Sequence, residues 1–527
     1  MPATGEASLD VSIALVPRFI PALALAIACA CSSAVTPAPT SGPIADDRIQ
    51  LLHTDDIHGH LDADTVQSAN ASSSFRAGGM AQLAGQVAAF RARAPQRTLL
   101  IDAGDAWQGT FISNANKGEA VTKAMSLMHY DALAVGNHDF DWGQDVLAQR
   151  AKEAAFPFLA ANVIETKTGR SPPYLKPFEV RDLGIARVGI IGVTNPGSAT
   201  IVKATSVAGL QFQPAADSVR TLIAEVQRQA DIVVVAAHIG TAEAVQLAHD
   251  VPGIDVIVAA HDHLPVQTAR VEGRTTIVDA GAYTQYVGRL EIVVDRTTRK
   301  MKDAVRGSAL TPIAANANVK PDPEIARLVD ERRAEGEKYT SRTVGRTTEP
   351  LTNLREETGF GNLITDAFVE YGRQQGWKTD VAFYNMAGVR ASFPAGQLTY
   401  GQLYEALPFS NTVVNVDLSG ADLAAIIDRA ACVNGRLHMA GVVVSFRFDN
   451  GAPNCVKSIT VAGAPLSSTR TYRVTTIDYL LLGGDGHTGF AKGTNVIYGD
   501  VEVDVVAAFI TAHSPVSPRV EGRLASS

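Results

Sequence analysis

Short apolar runs alternate with longer segments of helical periodicity through the first half of the chain. Apolar runs bounded by turn residues are typical of buried strands, and strands that alternate with helices indicate a largely parallel sheet. Segments 80–93, 118–129 and 218–229 are predicted to be helices, and the polar segment 62–78 a surface loop. The predicted strands are residues 48–52, 97–101, 131–135, 156–163, 186–193, 231–237 and 253–260.

The hexapeptide GNHDFD, residues 136–141, directly follows one of these runs. Asn137 offers a neutral oxygen ligand, and His138 can donate a proton near neutral pH. Asp141 could hold the His138 imidazole in one orientation, as the acid of a catalytic triad does. A polar turn could collect these residue types by chance, so the interpretation depends on the other strand ends.

Four further runs end in the same residue types. Asp56 and His58 are two residues apart, so in an extended segment they point the same way and can share one metal ion. Gly104 permits a sharp turn that brings the Asp105 carboxylate into the site. Ligands converge at such strand ends in α/β sheets. The candidate metal ligands are Asp56, His58, Asp105, Asn137, His238, His261 and His263.

Seven oxygen and nitrogen donors without a thiolate suit two divalent ions such as Zn²⁺, Mn²⁺, Fe²⁺ or Co²⁺. We expect Asp105 to bridge the two ions. Because Asp56 and Asp105 offset two of the four positive charges, a residual charge of about +2 suits a phosphate dianion.

The blocks HTDDIHGH, DAGDAWQGT, GNHDFD, AHIG and AHDH, in that order, resemble the binuclear metallophosphoesterase domain of the bacterial 5′-nucleotidase/UDP-sugar hydrolase family. The resemblance implies an α/β fold with a four-layer αββα sandwich and a second, α+β substrate-binding domain. It implies that His138 is the catalytic histidine beside the scissile phosphate, paired with Asp141. Asp55 departs from the Asn that is common in the family, and His263 stands where some members have Gln. The implied ligand sets are Asp56, His58, Asp105 and His263 for one ion, and Asp105, Asn137, His238 and His261 for the other.

A charged segment, residues 321–339, has Ile325, Leu328 and Val329 at helical spacing, which predicts a connecting helix. After residue 341 the strand-end histidines stop. Residues 358–367 open a helix, and residues 385–390 read as a strand followed by a glycine-containing turn.

Together with the segments LPF and YLLLGGD, these features resemble the C-terminal nucleotide-binding domain of the same family, so the resemblance spans about residues 48–515. Phe409 and Tyr479 match the two aromatic residues that sandwich the base, although Tyr replaces the commoner Phe. Asp485 matches the residue that binds the ribose hydroxyls, and Asn385 and Arg390 match groups near the base and phosphate. Arg355 is near an expected arginine but out of register, so the match does not extend to phosphate binding there.

The chain of 527 residues is too long for one core. The predicted parts are a signal peptide and tether (1–45), a dimetal metallophosphoesterase domain (46–312), a linker helix (313–340) and a nucleotide-binding domain (341–522). Net charge is −8, with scattered Lys and Arg, which argues against binding a nucleic-acid polymer. The expected partner is a small-molecule nucleotide, and the protein is expected to be a monomer.

Arg18 precedes an apolar run over residues 19–30, followed by small and turn residues, which is the order of a secretory signal. The run is too short for a membrane span. Cys29 or Cys31 could carry a lipid, so the protein is expected to be exported, either periplasmic or anchored as a lipoprotein. Cys432 and Cys455 could form a disulfide in an oxidising compartment or remain two buried thiols.

These features predict a secreted dimetal phosphohydrolase that converts 5′-nucleotides to nucleoside and phosphate. The resemblance implies that the second domain carries the nucleotide to the metals and swings away to release the nucleoside. The alternatives are a 2′,3′-cyclic nucleotide phosphodiesterase, a UDP-sugar or dinucleotide pyrophosphohydrolase, and a thiosulfate-ester hydrolase. A binding protein with a decayed site is disfavoured because none of the seven ligands is missing.

Overall fold

A computed structural model describes residues 43–67, 74–202, 205–304, 309–314, 319–409, 411–432, 436–447 and 455–526. The apolar leader, with Cys29 and Cys31, lies outside the described residues. No helix within the described ranges is long and apolar enough to cross a membrane.

Two sheets stand at the centre of the first half. In the described chain the first sheet has seven strands, and four neighbouring strands, from Arg48–Thr54 to Phe158–Leu159, run parallel. In spatial order they are Met301–Ala304, Tyr286–Val294, Arg48–Thr54, Thr98–Asp102, Ala132–Ala134 and Phe158–Leu159, with Ala309–Pro312 also paired to Tyr286–Val294.

The second sheet has six strands among the described residues, of which the middle four run parallel. Their near-continuous apolar sequences fit strands that are covered on both faces. In spatial order they are Arg270–Glu272, Thr275–Val278, Val256–Ala259, Ile232–Ala237, Arg187–Val193 and Phe178–Asp182.

Side-chain alternation along the strands produces three stacked apolar layers. Leu51 faces the layer between the two sheets, whereas its neighbour Leu52 faces the helices outside the first sheet. Val219 and Leu247, from two helices, cover the outer face of the second sheet. Helices therefore flank two packed sheets, which confirms the four-layer αββα sandwich. The helices of this half are Met80–Arg91, Phe111–Asn114, Glu119–Leu127, Gln144–Glu153, Ser198–Ile201, Ala215–Gln229 and Thr241–Asp250.

The predicted connecting helix spans Pro323–Thr340. The Asp322 side chain caps it by accepting hydrogen bonds from the backbone N–H groups of Glu324 and Ile325, and Pro323 occupies its first turn. Ile325, Leu328 and Val329, whose spacing predicted the helix, pack into the first sheet's outer core.

The second half is built on a mixed sheet that has five strands within the described sequence. The helix Gly359–Gln374, capped by Thr358, packs against this sheet. A disulfide joins Cys432 to Cys455, so the two cysteines are bonded rather than free. The strands in spatial order are Leu437–Ala440, Val381–Asn385, Thr471–Ile477, Thr412–Ser419 and Thr494–Val501.

Smaller elements complete this half. The remaining helices are Tyr400–Ala406, Gly420–Cys432, Asp478–Leu481 and Glu502–His513. A further sheet contains the strands Ala464–Pro465, Val456–Val461, Val442–Phe446 and Leu524–Ser526, and a separate pair is Thr343–Thr347 with Gly396–Thr399.

Two local predictions were wrong. The described parts of segment 62–78 are not a loop: Ala63–Gln67 and Ser74–Gly78 pair as antiparallel strands, because backbone pairing outweighs the weak strand propensity of a polar sequence. Asn385 ends a strand instead of beginning one, and Met386–Gly388 forms a 3₁₀ turn after it.

Buried His438, on the strand Leu437–Ala440, makes stability sensitive to acid. Neither ring nitrogen has a hydrogen-bond partner among the described residues, and burial lowers the pKa of His438 from 6.5 to about 4 against an opposing effect of Glu357. Because the folded pKa lies below the unfolded one, the unfolded chain binds more protons between these values, and stability falls as pH drops through that window.

We expect wild type to lose about 2 kcal/mol of unfolding free energy between pH 7 and pH 5 through this residue alone. His438→Leu should remove that part of the loss, measured by denaturant unfolding at the two pH values. Equal losses in both proteins would contradict the assignment.

Candidate active site

The seven predicted ligands lie together where strands of both sheets end. Asp56, Asp105 and Asn137 follow strands of the first sheet, and His238 and His261 follow strands of the second. The backbone leaves the extended conformation abruptly at these ends. Left-handed conformations cost non-glycine residues about 1–3 kcal/mol each and cluster at functional sites. Five of the ligands have positive φ: Asp56 (49°), His58 (48°), Asp105 (57°), His261 (84°) and His263 (58°).

One group of donors consists of Asp56, His58 and His263. His263 Nε2 lies 3.1 Å from His58 Nε2 and 3.3 Å from Asp56 Oδ1. Asp56 Oδ2 accepts a hydrogen bond from the His261 backbone N–H, whereas Asp56 Oδ1 is buried without a hydrogen-bond partner in the described structure. The three free donor atoms therefore point at one another.

A second group consists of Asp105, His238 and His261. Asp105 Oδ2 is 3.0 Å from His238 Nε2, and His261 Nδ1 is 3.3 Å from the same nitrogen. Asn137 lies at this site with its Oδ1 buried and, within the described ranges, unpartnered. Asp105 Oδ2 also lies 3.7 Å from His58 Nε2, so this carboxylate stands between the two groups.

The chemistry of these donors fits two divalent cations. His58 donates its Nδ1–H to the Gln108 carbonyl at 2.7 Å, and His238 donates its Nδ1–H to the Ala103 carbonyl at 2.9 Å. These bonds leave both Nε2 atoms as ligand atoms. Orphaned carboxylate and amide oxygens in a buried pocket are the groups that a cation would satisfy. The structure therefore provides two metal sites; it does not specify the metal.

The electrostatics of the pocket favour positive charge beside Asp105. Burial lowers the pKa of His238, but the Asp105 carboxylate outweighs burial and raises that pKa to about 10. Burial raises the pKa of Asp105, but the neighbouring His238 and His138 outweigh burial and hold that pKa well below its usual range.

His138 and Asp141 stand beside the donors on a 3₁₀ turn, His138–Phe140, and the residue after it. His138 Nδ1 is 2.9 Å from Asp141 Oδ2, and the His138 backbone N–H donates to Asp105 Oδ1 at 2.7 Å. Burial lowers the pKa of His138, but Asp141 and Asp105 outweigh it and raise the pKa above its ordinary value. The Asp141 carboxylate thus orients the imidazole.

A cavity of about 490 Å³ joins this turn to the second half of the chain. Tyr479 donates its hydroxyl proton to Asp485 Oδ1 at 2.8 Å, and Asn385 Nδ2 donates to Asp485 Oδ2 at 2.9 Å. The Phe409 ring lies 5.4 Å from the His138 ring and beneath the Arg390 guanidinium. All five substrate-binding residues predicted from the resemblance line this cavity: Asn385, Arg390, Phe409, Tyr479 and Asp485.

Three residues of the site were not assigned from the sequence. Arg355, which was out of register with the family pattern, lines the same cavity as Arg390. Trp142 lines it too, directly after Asp141. Asp139 accepts hydrogen bonds from the backbone N–H groups of Asp105, Ala106 and Gly136, and so joins two ligand loops. Only Asp139 had a visible signal, because it lies inside the GNHDFD block.

Asp55, a departure from the family pattern, is buried behind the metal ligands. Both of its carboxylate oxygens accept the Ala280 backbone N–H at 3.0 Å. It also hydrogen-bonds Asp279, whose pKa burial and Asp55 raise to about 10. Burial also raises the pKa of Asp55 well above its usual range, so the pair favours protonation over two adjacent buried charges.

Comparisons with known proteins agree with this geometry. The family model for calcineurin-like phosphoesterases matches residues 49–265, and the model for the 5′-nucleotidase C-terminal domain matches residues 343–492. A snake venom 5′-nucleotidase from Naja atra is 27% identical, covering 90% of this chain and 98% of its own. The 5′-nucleotidase of Homo sapiens is 28% identical and covers 90% of both chains.

Among solved structures, a 5′-nucleotidase precursor from Thermus thermophilus superposes with a TM-score of 0.81 at 27% identity. The superposition covers 91% of this chain and 99% of the other. Two family models in the expected order, near full-length relatives and a shared two-domain fold all agree with the clustered ligands. The chain therefore belongs to the 5′-nucleotidase family of metallophosphoesterases, which hydrolyse phosphate esters.

Proposed function

We propose that this protein hydrolyses 5′-nucleotides to nucleoside and phosphate. The observation that carries the proposal is the single cavity that connects Phe409 and Tyr479 to His138. A ligand with an aromatic base at one end and a phosphate at the other matches that cavity in shape and in chemistry. The 5′-nucleotidases from Naja atra and Homo sapiens are named for this substrate class.

The base and ribose are bound by the second half of the chain. Phe409 and Tyr479 stack on the two faces of the base. Asp485 receives the ribose hydroxyls, and its position is held by hydrogen bonds from Tyr479 and Asn385. The commoner Phe of the family has no hydroxyl and could not make the bond from residue 479 to Asp485. Tyr479 therefore adds a hydrogen bond that holds the ribose-binding carboxylate in place.

The phosphate is bound where the two halves meet. Arg390 reaches over Phe409 toward the metal ligands, and Arg355 lies in the same cavity. Guanidinium groups match the geometry and charge of a phosphate. Burial lowers the pKa of Arg355, with Arg390 acting in the same direction, and a bound phosphate dianion would relieve both effects.

The residues that would hold two divalent cations are Asp56, His58, Asp105 and His263 for one, and Asp105, Asn137, His238 and His261 for the other. When bound, such cations supply positive charge for the phosphoryl oxygens and activate an attacking water. His138 holds a proton at Nε2 toward the phosphate and stabilises charge that develops in the transition state. Asp141 keeps the imidazole oriented through its Nδ1.

Phe409→Ala tests the base-binding role. Because stacking on one base is worth about 1–3 kcal/mol, we expect KM for AMP to rise roughly 5- to 150-fold. KM for p-nitrophenyl phosphate, which lacks a nucleobase, should change much less. Phosphate release measured with both substrates gives the two values.

The control for this experiment is Phe509→Ala, on the helix Glu502–His513, outside the residues that line the cavity. A Phe409→Ala enzyme whose KM rises equally for both substrates would mean that the ring is only part of the protein core.

A second candidate function keeps the same site but extends the substrate. Another cavity, of about 620 Å³, is lined by His58, Tyr283 and Arg390. It has room for the group beyond the reacting phosphate of a UDP-sugar or a dinucleotide pyrophosphate. Phosphate and nucleotide release from AMP, UDP-glucose and a 2′,3′-cyclic nucleotide separates these substrate classes.

We also propose the division into parts 1–45, 46–312, 313–340 and 341–522, export as a monomer, and a lipid anchor at Cys29 or Cys31. The apolar leader, the Cys432–Cys455 disulfide and the secreted venom relative support export. Mass spectrometry of the mature N-terminus tests the anchor, and a terminus without an acylated cysteine would exclude it.

A further inference from the structure

Asn114 ends the short helix Phe111–Asn114, in the segment that follows the metal ligand Asp105. Its half-buried side chain lies at the boundary between the two halves of the chain and contacts both. Nothing in the proposed chemistry uses it, since it touches neither the substrate cavity nor a metal ligand directly.

The Asn114 side-chain amide makes three hydrogen bonds. Its Oδ1 accepts the Gly109 backbone N–H at 3.0 Å. Its Nδ2 donates to the Pro408 carbonyl at 3.0 Å and to the Tyr404 hydroxyl at 3.2 Å. The orientation of the amide is unambiguous, because a flipped NH₂ group would face the Gly109 donor, and its oxygen would face the Pro408 acceptor.

On one side, these bonds lead to a metal ligand. The Gly109 N–H belongs to the same peptide group as the Gln108 carbonyl, which accepts His58 Nδ1–H at 2.7 Å. Residue 109 must be glycine for this arrangement, since a Cβ there would lie 2.1 Å from the His58 carbonyl oxygen. Asn114 therefore holds the peptide group that orients the His58 imidazole.

On the other side, the bonds lead to the base-binding ring. Pro408 immediately precedes Phe409, whose ring packs 5.4 Å from the His138 ring. The Asn114 side chain is thus one link in a continuous hydrogen-bonded series. The series runs from the Pro408 carbonyl through the Asn114 amide and the Gln108–Gly109 peptide group to the His58 imidazole.

We propose that Asn114 is a positioning residue that couples the position of Phe409 to the affinity of His58 for a metal ion. The inference rests on the proposed function for the role of Phe409. Hydrogen-bonded amides in series polarise one another, so the bond to Pro408 strengthens the acceptor that faces His58 Nδ1–H. A stronger acceptor raises the basicity of His58 Nε2. By linkage, a nucleoside that holds the two halves together tightens metal binding, and bound metal tightens nucleoside binding to the same degree.

Co²⁺ affinity of the full chain, measured by chelator competition with and without saturating adenosine, tests the coupling without any turnover. Asn114→Ala removes the acceptor for the Gly109 N–H and both donors to the second half. The matched control is Asn116→Ala, because the Asn116 side chain bonds Ile112 and Ala120, which lie on its own side of the boundary. Tyr404→Phe removes the hydroxyl and leaves the Pro408 link.

Without adenosine, we expect Asn114→Ala to weaken Co²⁺ binding about tenfold, as loss of support behind a ligating histidine does, while the Asn116→Ala and Tyr404→Phe proteins bind like wild type. Adenosine should tighten Co²⁺ binding in wild type and in both controls, but not in Asn114→Ala. Thermal unfolding of each variant separates this effect from a loss of folding.

Equal Co²⁺ affinities for the Asn114→Ala and Asn116→Ala proteins would overturn the proposal. Unchanged Co²⁺ affinity in wild type that has bound adenosine would overturn it too. A wild-type protein that does not bind adenosine would argue against the nucleotidase function. In that case the Co²⁺ affinities measured without adenosine would still test the link between Asn114 and His58.

Discussion

Replacing His138 with alanine is expected to lower kcat for AMP by about 10²–10⁴-fold, the usual contribution of a positioned proton donor. The imidazole is held by Asp141 at 2.9 Å and faces the cavity shared with the base-binding residues. The metal ligands should stay in place, because the bond to Asp105 Oδ1 comes from the backbone N–H of residue 138. Steady-state phosphate release and the metal content of the same preparation are the two measurements.

His249→Ala is the matched control, since His249 is an exposed histidine on the helix Thr241–Asp250, where it pairs with Glu272. It should retain full activity. Activity close to wild type in the His138→Ala enzyme, at unchanged metal content, would remove this side chain from the chemistry.

Asp105→Asn should have the largest effect of any single substitution. The Asp105 carboxylate lies within 3.0 Å of His238 and 3.7 Å of His58, so it serves both groups of donors. An amide of the same size loses the negative charge and one of the two acceptor oxygens. Because bound cations supply several kcal/mol of transition-state stabilisation, kcat/KM for AMP should fall by about 10³-fold or more.

Metal analysis should show a matching loss of bound cations in Asp105→Asn. The control is Asp217→Asn on the helix Ala215–Gln229, an exposed residue paired with Arg220. Full metal content and full activity in Asp105→Asn would contradict the bridging role and leave the two donor groups independent.

The candidate metal ligands could be recognised in the sequence because each of them lies within a few residues of the strand that presents it. A strand must end in a turn, and the turn residues that carry oxygen or nitrogen donors stand next to the apolar run that places them. Parallel strands align their carboxyl ends, so the convergence of Asp56 and Asp105 follows from strand order within the first sheet, whereas His238 comes from the second sheet. For the same reason, the four-layer sandwich and the connecting helix could be predicted from periodicity and resemblance.

Residues whose roles depend on distant partners could not be found this way. Arg355 enters the cavity through the packing of the second half against the first. Asp55 is buried beside Asp279, a hydrogen-bond partner more than 200 positions away along the chain. The pairing of Ala63–Gln67 with Ser74–Gly78 depends on backbone hydrogen bonds, which the polar sequence of these strands does not predict.

The sequence by itself determined which ligand atoms exist, their order and the strand ends that present them, because those properties depend on neighbours within a few residues. Only the tertiary structure decided which halves of the chain meet at the site. Asn114 and Pro408 are 294 positions apart, and no periodicity or spacing predicts a hydrogen bond between them. That contact exists only when the two halves of the chain pack together, and this packing brings the base-binding ring to the metal ligands.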